Sequence, residues 1–464
     1  MSPAQALPVV LAKIDADLHQ SLERLFEFLR IQSISTDPAY RDQCRSAAEY
    51  VANDLSRIGF KTSVRPTGGH PIVVGKGGPQ GKAPRVLFYG HYDVQPVDPL
   101  DLWDAPPFAP RIATLPDGRK IIVARGACDD KGQLMTFVEA CRAFMAITGQ
   151  LPLPITMMIE GEEECGSKHL FGFVKDNADE FKLDLALVCD TSMWDPVTPM
   201  VTTSLRGLVY EEVRLSCADR DLHSGLFGGA AQNPLRVLAH ILAAMHDENG
   251  RVTIPGFYDG VSELPPQIEA DLKGLDLTPE NFLAEVGLKV PAGEKDRMLI
   301  EQIATRPTAE INGMIGGYTG EGAKTVIPAE AMAKVSFRLV GAQDPQKIRT
   351  AFHVFVRARL PVDARVEFKS FASAPATELP FDSPLLAKTR AALAAEWGKK
   401  ALAIGEGGSI PIVGDFKRVL GMDTIMVGFA LDDDRVHAPN EKFDLTSFHK
   451  GTRSWARILA ALAA

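Results

Sequence analysis

Residues 85–93 read RVLFYGHYD, an apolar run that stops at His91 and Asp93. A short apolar run bounded in this way predicts a buried strand. ITMMIE at 155–160 and LALVCD at 185–190 repeat the arrangement. Stretches with helical spacing lie around these runs, at 9–30, 47–58, 131–148, 167–177 and 385–397. Because strands alternate with helices, we expect an α/β fold with a mostly parallel sheet sandwiched by helices.

The pattern changes from about residue 205 onward. VYEEVRLS at 209–216 and KVSFRLVG at 334–341 alternate apolar and polar side chains, as half-buried strands do. Helical stretches follow at 234–247 and 345–358. This segment is expected to form an α+β domain with one sheet face in water, inserted into the first domain. The expected boundaries are 1–204 and 377–464 for the first domain and 205–376 for the inserted one.

The composition is that of a globular protein, with 464 residues of which 45% are hydrophobic and 23% charged. A net charge of -9 argues against a nucleic acid or an anionic membrane as partner. The first twenty residues lack the pattern of a signal peptide, and no apolar run reaches the length of about 18 residues that a membrane span needs. We therefore expect a cytoplasmic location. The six cysteines form no CxxC pair, so neither a disulfide scaffold nor a zinc ribbon is expected.

Acidic and histidine residues stand where the apolar runs end. His91 ends RVLFYGH, Asp129 follows KIIVARGAC, Glu164 lies in the acidic segment after ITMMIE, and Asp190 ends LALVCD. A late histidine, His437, lies in RVHAPNEK. Taken singly, such residues are more often parts of turns or solvated helix starts. Because adjoining strand ends converge in space, the five together fit a site for two divalent metal ions, with bridging carboxylates and capping imidazoles.

Eight segments match, in order, the motifs of one family. They are HYDVQP (91–96), RGACDDKG (125–132), EGEEECGS (160–167), DLHSG (221–225), KTVIP (324–328), SFRLV (336–340), EGGSIP (406–411) and HAPNEK (437–442). In these segments the chain resembles the dinuclear zinc metallopeptidases that include carnosinase and the cytosolic non-specific dipeptidase. Acetylornithine deacetylase and succinyl-diaminopimelate desuccinylase are more distant relatives. The resemblance implies a fold of the zinc exopeptidase type, with the inserted domain as lid and dimerisation domain.

The resemblance also implies a role for each metal-ligand candidate. His91 and Asp190 would hold one metal ion, and His437 and Glu164 the other. Asp129 would bridge both ions, and the peptide bond that follows it would be cis. Two divalent ions per subunit are expected, with zinc as the first candidate and manganese or cobalt as alternatives.

The implied catalytic residues adjoin these ligands. Glu163 would be the general base, taking a proton as a metal-bridging hydroxide attacks the scissile carbonyl and returning it to the leaving amine. Asp93 would orient the His91 imidazole.

The inserted domain would supply substrate contacts, again by resemblance. His223 would reach the oxyanion from the partner subunit of a homodimer, and Arg338 would hold the substrate's free carboxylate in a bidentate fork. Thr325 and Ser409 would complete these substrate contacts. Without the resemblance, His223 is a loop histidine and Arg338 is more simply a surface charge.

The function expected from these residues is metal-dependent hydrolysis of dipeptides with a free C-terminal carboxylate, a small peptide being the substrate. The alternative within the same fold is an N-acyl-amino-acid deacylase of the acetylornithine or succinyl-diaminopimelate type. A non-catalytic metal-binding protein is a third possibility, disfavoured because Glu163 is present.

Overall fold

A computed structural model gives the fold and describes residues 1–81, 83–275, 277–284, 286–407 and 410–464, with the backbone alone for residues 372 and 411. The described residues form two compact units. The first comprises Met1–Thr203, Leu379–Ile404 and Asp415–Ala464, and the second comprises Ser204–Glu378 and Gly405–Gly414. The segment Gly405–Gly414 thus groups with the second unit, whereas the sequence placed it in the first domain. The lid and dimerisation roles stay predictions.

The strands of both units are numbered in chain order. They are β1 (Lys61–Arg65), β2 (Ile72–Gly77), β3 (Val86–His91), β4 (Arg111–Thr114), β5 (Lys120–Val123), β6 (Ile155–Glu160), β7 (Leu185–Val188), β8 (Met200–Leu205), β9 (Gly207–Ser216), β10 (Leu222–His223), β11 (Thr308–Gly316), β12 (Val326–Ile327), β13 (Glu330–Leu339), β14 (Arg365–Ala374), β15 (Thr377–Glu378), β16 (Leu402–Glu406), β17 (Thr424–Met426) and β18 (Lys442–Asp444).

The helices are numbered in the same way. They are α1 (Pro3–Ala16), α2 (Leu18–Leu29), α3 (Arg41–Arg57), α4 (Lys131–Thr148), α5 (Leu170–Asp176), α6 (Ala178–Phe181), α7 (Ser224–Phe227), α8 (Pro234–Ala243), α9 (Pro266–Lys273), α10 (Pro279–Ala284), α11 (Leu299–Ala304), α12 (Pro345–Arg357), α13 (Pro384–Trp397), α14 (Pro411–Asp415) and α15 (Leu445–Leu462). Short 3-10 helices lie at Pro38–Tyr40, Leu100–Leu102, Glu163–Cys165 and Asp432–Asp434, and a π-helix at Phe416–Leu420.

The central sheet of the first unit follows the order β1-β2-β6-β3-β7-β17-β8. Strand β3 runs parallel to β6 and β7, and β17 runs parallel to β7. The outer strands β1, β2 and β8 pair antiparallel with their neighbours. Every residue of β3 and β6 is buried, which requires cover on both faces of the sheet. The predicted fold class, α/β with a mostly parallel sheet, is confirmed.

Aromatic packing holds helices on this sheet. The rings of Phe88 on β3 and Phe137 on α4 stack with centroids 3.7 Å apart, and Trp455 on α15 meets Phe137 edge-on at 5.2 Å. Helix α4 has the bounds that the sequence predicts. The predicted helix at 9–30 is instead two helices, α1 and α2, because the backbone of Asp17 leaves the helical conformation at φ -95° and ψ 5°.

The parallel strands bring their carboxyl ends to one edge of the sheet. His91 is the last residue of β3 and pairs in register with Glu160 at the end of β6. The 3-10 helix at Glu163–Cys165 follows β6, and Asp190 follows β7. A separate three-stranded sheet, β18-β5-β4, pairs Lys442–Asp444 with residues 121–123. This pairing anchors the segment after His437 beside the one that leads to Asp129.

The second unit contains an antiparallel sheet of order β11-β13-β9-β14. Burial alternates along β9 and β13, as the sequence pattern predicts. Helices α8 and α12 cover the buried face, where Val213, Leu238, Phe337 and Phe352 belong to one core. Among the described residues of the whole chain, no helix combines the length and apolarity that crossing a membrane requires.

Candidate metal centre

His91 presents one ring nitrogen to two carboxylates. Its imidazole is fully buried, and Nδ1 donates to the backbone carbonyl of Asp93 at 3.1 Å. A carbonyl only accepts, so this contact leaves the lone pair on Nε2. That nitrogen lies 3.1 Å from Asp129 Oδ1 and 3.9 Å from Asp190 Oδ2. One donor atom from each of the three residues lies within 4.8 Å of the others. We call His91, Asp129 and Asp190 the first group.

A second group of three lies beside it. His437 Nε2 lies 3.0 Å from Asp129 Oδ2 and 3.2 Å from Glu164 Oε2. The donor atoms of Asp129, Glu164 and His437 again lie within 4.8 Å of one another. His437 is half exposed, unlike His91. We call these three residues the second group.

Asp129 belongs to both groups. Its two carboxylate oxygens face opposite partners, Oδ1 towards His91 and Oδ2 towards His437. The peptide bond between Asp129 and Asp130 is cis, as the resemblance implied. The five side chains that the sequence singled out as metal ligands therefore lie together around one carboxylate.

The charges of the two groups favour added cations. Burial and the Asp130 and Asp129 carboxylates raise the pKa of Asp190 well above its ordinary value. Hydrogen bonds to Asp129 and Glu164 raise the pKa of His437 to about 10. Both shifts have the direction that an excess of negative charge produces. Imidazole nitrogens combined with carboxylate oxygens suit zinc, manganese and cobalt, so the donor set fits divalent metal ions.

Glu163 lies beside both groups and belongs to neither. It begins the 3-10 helix that also carries Glu164. Burial, followed by the negative charges of Asp129 and Glu164, raises its pKa to about 7, although His91 opposes the rise. A carboxyl group with such a pKa exchanges protons readily near neutral pH, which suits a general base.

Asp93 connects the first ligand to the acidic turn. Its carbonyl accepts from His91 Nδ1, and its carboxylate lies 3.4 Å from the same nitrogen. The carboxylate oxygens also accept from the backbone N–H groups of Glu163 at 3.3 Å and Glu164 at 3.1 Å. The predicted contact with His91 is thus made mainly through the backbone, and the side chain holds the turn.

Gln95 contacts Glu164, and the sequence analysis did not predict this contact. Its Nε2 donates to Glu164 Oε2 at 2.7 Å and so fixes one carboxylate of the second group. In the sequence, the indication of such a role is that Gln95 lies in the segment HYDVQP, two residues after Asp93.

The predicted substrate-binding residues that are described lie in the second unit. His223 and Thr325 are exposed and neighbour each other, because β10 pairs with β12 and the Thr325 carbonyl accepts from Ser224 N–H. Arg338 lies on β13 and, with Arg206, lines a cavity of about 480 Å³ within that unit. Ser409 lies outside the described residues.

Comparison with known proteins identifies a family. The model of the peptidase family M20/M25/M40 matches residues 87–461. The Cys-Gly metallodipeptidase dug1 of Schizosaccharomyces pombe is 30% identical, with 97% of each chain covered. The Beta-Ala-His dipeptidase of Homo sapiens is 28% identical over 98% of this chain and 93% of its own.

Solved structures give the same relationship. The di-peptidase Dug1p from Saccharomyces cerevisiae superposes with a TM-score of 0.74 at 28% identity, covering 100% of this chain and 99% of that one. The M20 family metallo-carboxypeptidase Sso-CP2 from Sulfolobus solfataricus has a TM-score of 0.77 at 30% identity, covering 96% and 99%.

Proposed function

Because this chain belongs to the peptidase family M20/M25/M40 and is a metallopeptidase, we propose that it hydrolyses dipeptides with a free C-terminal carboxylate. The observation that carries the proposal is Asp129, whose two oxygens serve two ligand groups beside Glu163. Relatives that align over nearly the whole chain are named as dipeptidases. None of these names is that of a deacylase, so the alternative expected from the sequence is not favoured.

The two groups would hold two divalent metal ions. His91 and Asp190 would bind one ion, His437 and Glu164 the other, and Asp129 both. When bound, such a pair of ions lowers the pKa of a coordinated water and stabilises negative charge on a carbonyl oxygen. Zinc is the first candidate, with manganese and cobalt as alternatives for the same donors.

Glu163 would move the proton. Its carboxylate would accept the proton of the attacking water and then deliver it to the nitrogen of the leaving amine. Asp93 supports this step because it holds the backbone of the turn that carries Glu163 and Glu164.

The second unit would select the substrate. Arg338 would pair with the substrate's C-terminal carboxylate through two parallel hydrogen bonds, assisted by Thr325 and Ser409. His223 would donate to the oxyanion from the partner subunit of a homodimer. His223 is exposed, and its Nδ1 accepts a hydrogen bond from Gly225 N–H. The proton of the neutral ring therefore lies on Nε2, which can donate it in such a contact.

A substrate panel tests the function. The chain is stripped with a chelator, reloaded with Zn²⁺, Mn²⁺ or Co²⁺, and assayed on Cys-Gly, β-Ala-His and unrelated dipeptides. The proposal expects cleavage that requires metal and a free C-terminal carboxylate. Faster cleavage of N-acetyl amino acids would favour the deacylase, and faster cleavage of longer peptides would favour a carboxypeptidase. Absence of metal-dependent cleavage of any dipeptide would refute the proposal.

A further inference from the structure

The side chain of Glu441 is fully buried against the segment that leads into Asp129. Its Oε1 accepts hydrogen bonds from the backbone N–H groups of Cys128 at 3.0 Å and Asp129 at 3.1 Å. Its Oε2 accepts from Gly126 N–H at 2.9 Å and from Arg125 Nη1 at 2.8 Å. A single carboxylate thus fixes the backbone on the N-terminal side of the ligand that both groups share.

All four of these partners are donors. Each oxygen of Glu441 receives two hydrogen bonds, so the carboxylate is used entirely as an acceptor. A glutamine of the same size has one oxygen and one NH₂ group. The NH₂ group would face two donors and leave them without an acceptor, which is costly in a buried site.

The backbone of Glu441 fastens the other ligand segment. Its carbonyl accepts from Ala124 N–H at 3.2 Å, and His437 lies four residues earlier. Between them the chain is unusual, because His437 and Asn440 have φ values of 63° and 62°. Residues other than glycine rarely adopt this left-handed region, so the loop needs anchors to keep it. Glu441 is such an anchor, joined to the Asp129 segment by both side chain and backbone.

His91 and Asp190, the other two members of the first group, lie at the ends of strands of the central sheet. His91 ends the buried strand β3, and Asp190 follows the buried strand β7. His437 instead lies on a half-exposed loop between the 3-10 helix Asp432–Asp434 and strand β18. The position of His437 relative to Asp129 is therefore held by the contacts of Glu441 together with the pairing of β18 with β5.

We propose that Glu441 is a positioning residue of the metal centre, which sets Asp129 against His437 so that both can bind one ion. It touches neither the substrate nor the ion and acts through Asp129 and the loop of His437. The inference rests on the proposed metal centre, and its test measures metal binding rather than peptidase activity.

The experiment compares the full chain with Glu441→Gln. Metal-free protein is titrated with Zn²⁺ against a chromophoric chelator, and the visible spectrum is recorded as Co²⁺ is added. His437→Ala identifies which of the two equivalents belongs to the second group. For Glu441→Gln we expect that equivalent to bind about 10- to 100-fold more weakly, with an altered Co²⁺ spectrum, while the other equivalent loses less.

Glu139→Gln is the matched control. Glu139 is also buried and accepts from Arg24 at 2.7 Å and Ser21 at 2.9 Å, but it contacts neither metal group. This variant should lower the melting temperature and leave both zinc affinities unchanged. If Glu441→Gln behaves in the same way, its role is structural only and the proposal is wrong.

A second variant, Glu441→Asp, provides a test in case Glu441→Gln does not fold. Glu441→Asp keeps the charge and both oxygens but shortens the side chain by one methylene. It should weaken the binding of the ion at the second group to a smaller degree than Glu441→Gln does. An unchanged affinity in this variant would also overturn the proposal. A wild-type chain that does not bind two ions would instead overturn the metal centre itself, so the two failures are distinguishable.

Discussion

The carboxylate of Asp93 accepts a hydrogen bond from the backbone N–H of Glu164 at 3.1 Å, while the Asp93 carbonyl accepts from His91. One residue thus sets the orientation of the first ligand and the position of the turn that bears the proposed base. His91 and Asp93 are both fully buried, and a lost acceptor is expensive in such a position.

Asp93→Asn should lower kcat/KM on a cleaved dipeptide by about 10- to 100-fold, because an amide cannot accept from both N–H groups of the turn. The measurement is steady-state kinetics on fully metal-loaded protein. Asp184→Asn, in an exposed pair with Arg85, is the control and should leave the rate unchanged. An unaltered kcat/KM in Asp93→Asn would show that the turn needs no such support.

Glu163→Gln should lower kcat by about 10²- to 10⁴-fold, because an amide cannot take up the proton of the attacking water. Metal content, measured by elemental analysis, should not change, since Glu163 belongs to neither ligand group. Glu162→Gln is the neighbouring control, because Glu162 instead bonds to His169 and His70. Comparable losses in the two variants would contradict a specific role for Glu163.

Metal removal should lower thermal stability. Without cations the centre holds several buried carboxylates, and burial, followed by the charges of Asp130 and Asp129, raises the pKa of Asp190. Restoring free zinc to a hundred times the dissociation constant of a site should increase the free energy of unfolding by about 2.7 kcal/mol for each ion bound. Differential scanning calorimetry with and without chelator measures this change. His91→Ala should reduce the effect, and a melting temperature indifferent to metal would argue against the site.

A separate pH dependence arises at Glu180, which pairs with Arg65 and Lys76 at 2.6 and 2.7 Å. Hydrogen bonding to Arg65 lowers the pKa of Glu180 to about 2, from an ordinary value of 4.5. A pKa lowered by folding stabilises the fold above the unfolded value and loses that effect as pH falls from 4.5 towards 2.

Glu180→Gln should therefore cost about 1 kcal/mol in urea unfolding at pH 7, and clearly less at about pH 3. Glu49→Gln, at an exposed pair with Arg45, is the control and should cost little at either pH. An equal loss of unfolding free energy for Glu180→Gln at both pH values would show that the charge of Glu180 does not contribute to stability.

Local patterns predicted the parts of the centre that lie at strand ends. The apolar run before His91 and the helical spacing of α4 depend on neighbouring residues only, so the sequence shows them directly. The break at Asp17 is decided by one residue's backbone angles, which periodicity does not resolve.

Contacts between distant segments were not predictable in this way. Gln95 meets Glu164 and Glu441 meets Asp129 only because the sheets bring remote parts of the chain together. Neither contact produces a periodic pattern in the sequence. Gln95 and Glu441 each lie within a motif, but the motif does not show which residue they contact. Roles for Arg338, Thr325 and His223 rest on resemblance and stay predictions.

The sharing of Asp129 between two groups also bears on how the protein is made. Translation delivers the chain from its N-terminus, so His91, Asp129 and Asp190 leave the ribosome long before His437. The first group can assemble on a partly synthesised chain, whereas the second waits for the segment that carries His437. A chain cut short before His437 still carries every donor of the first group, and of the second it carries only Asp129 and Glu164.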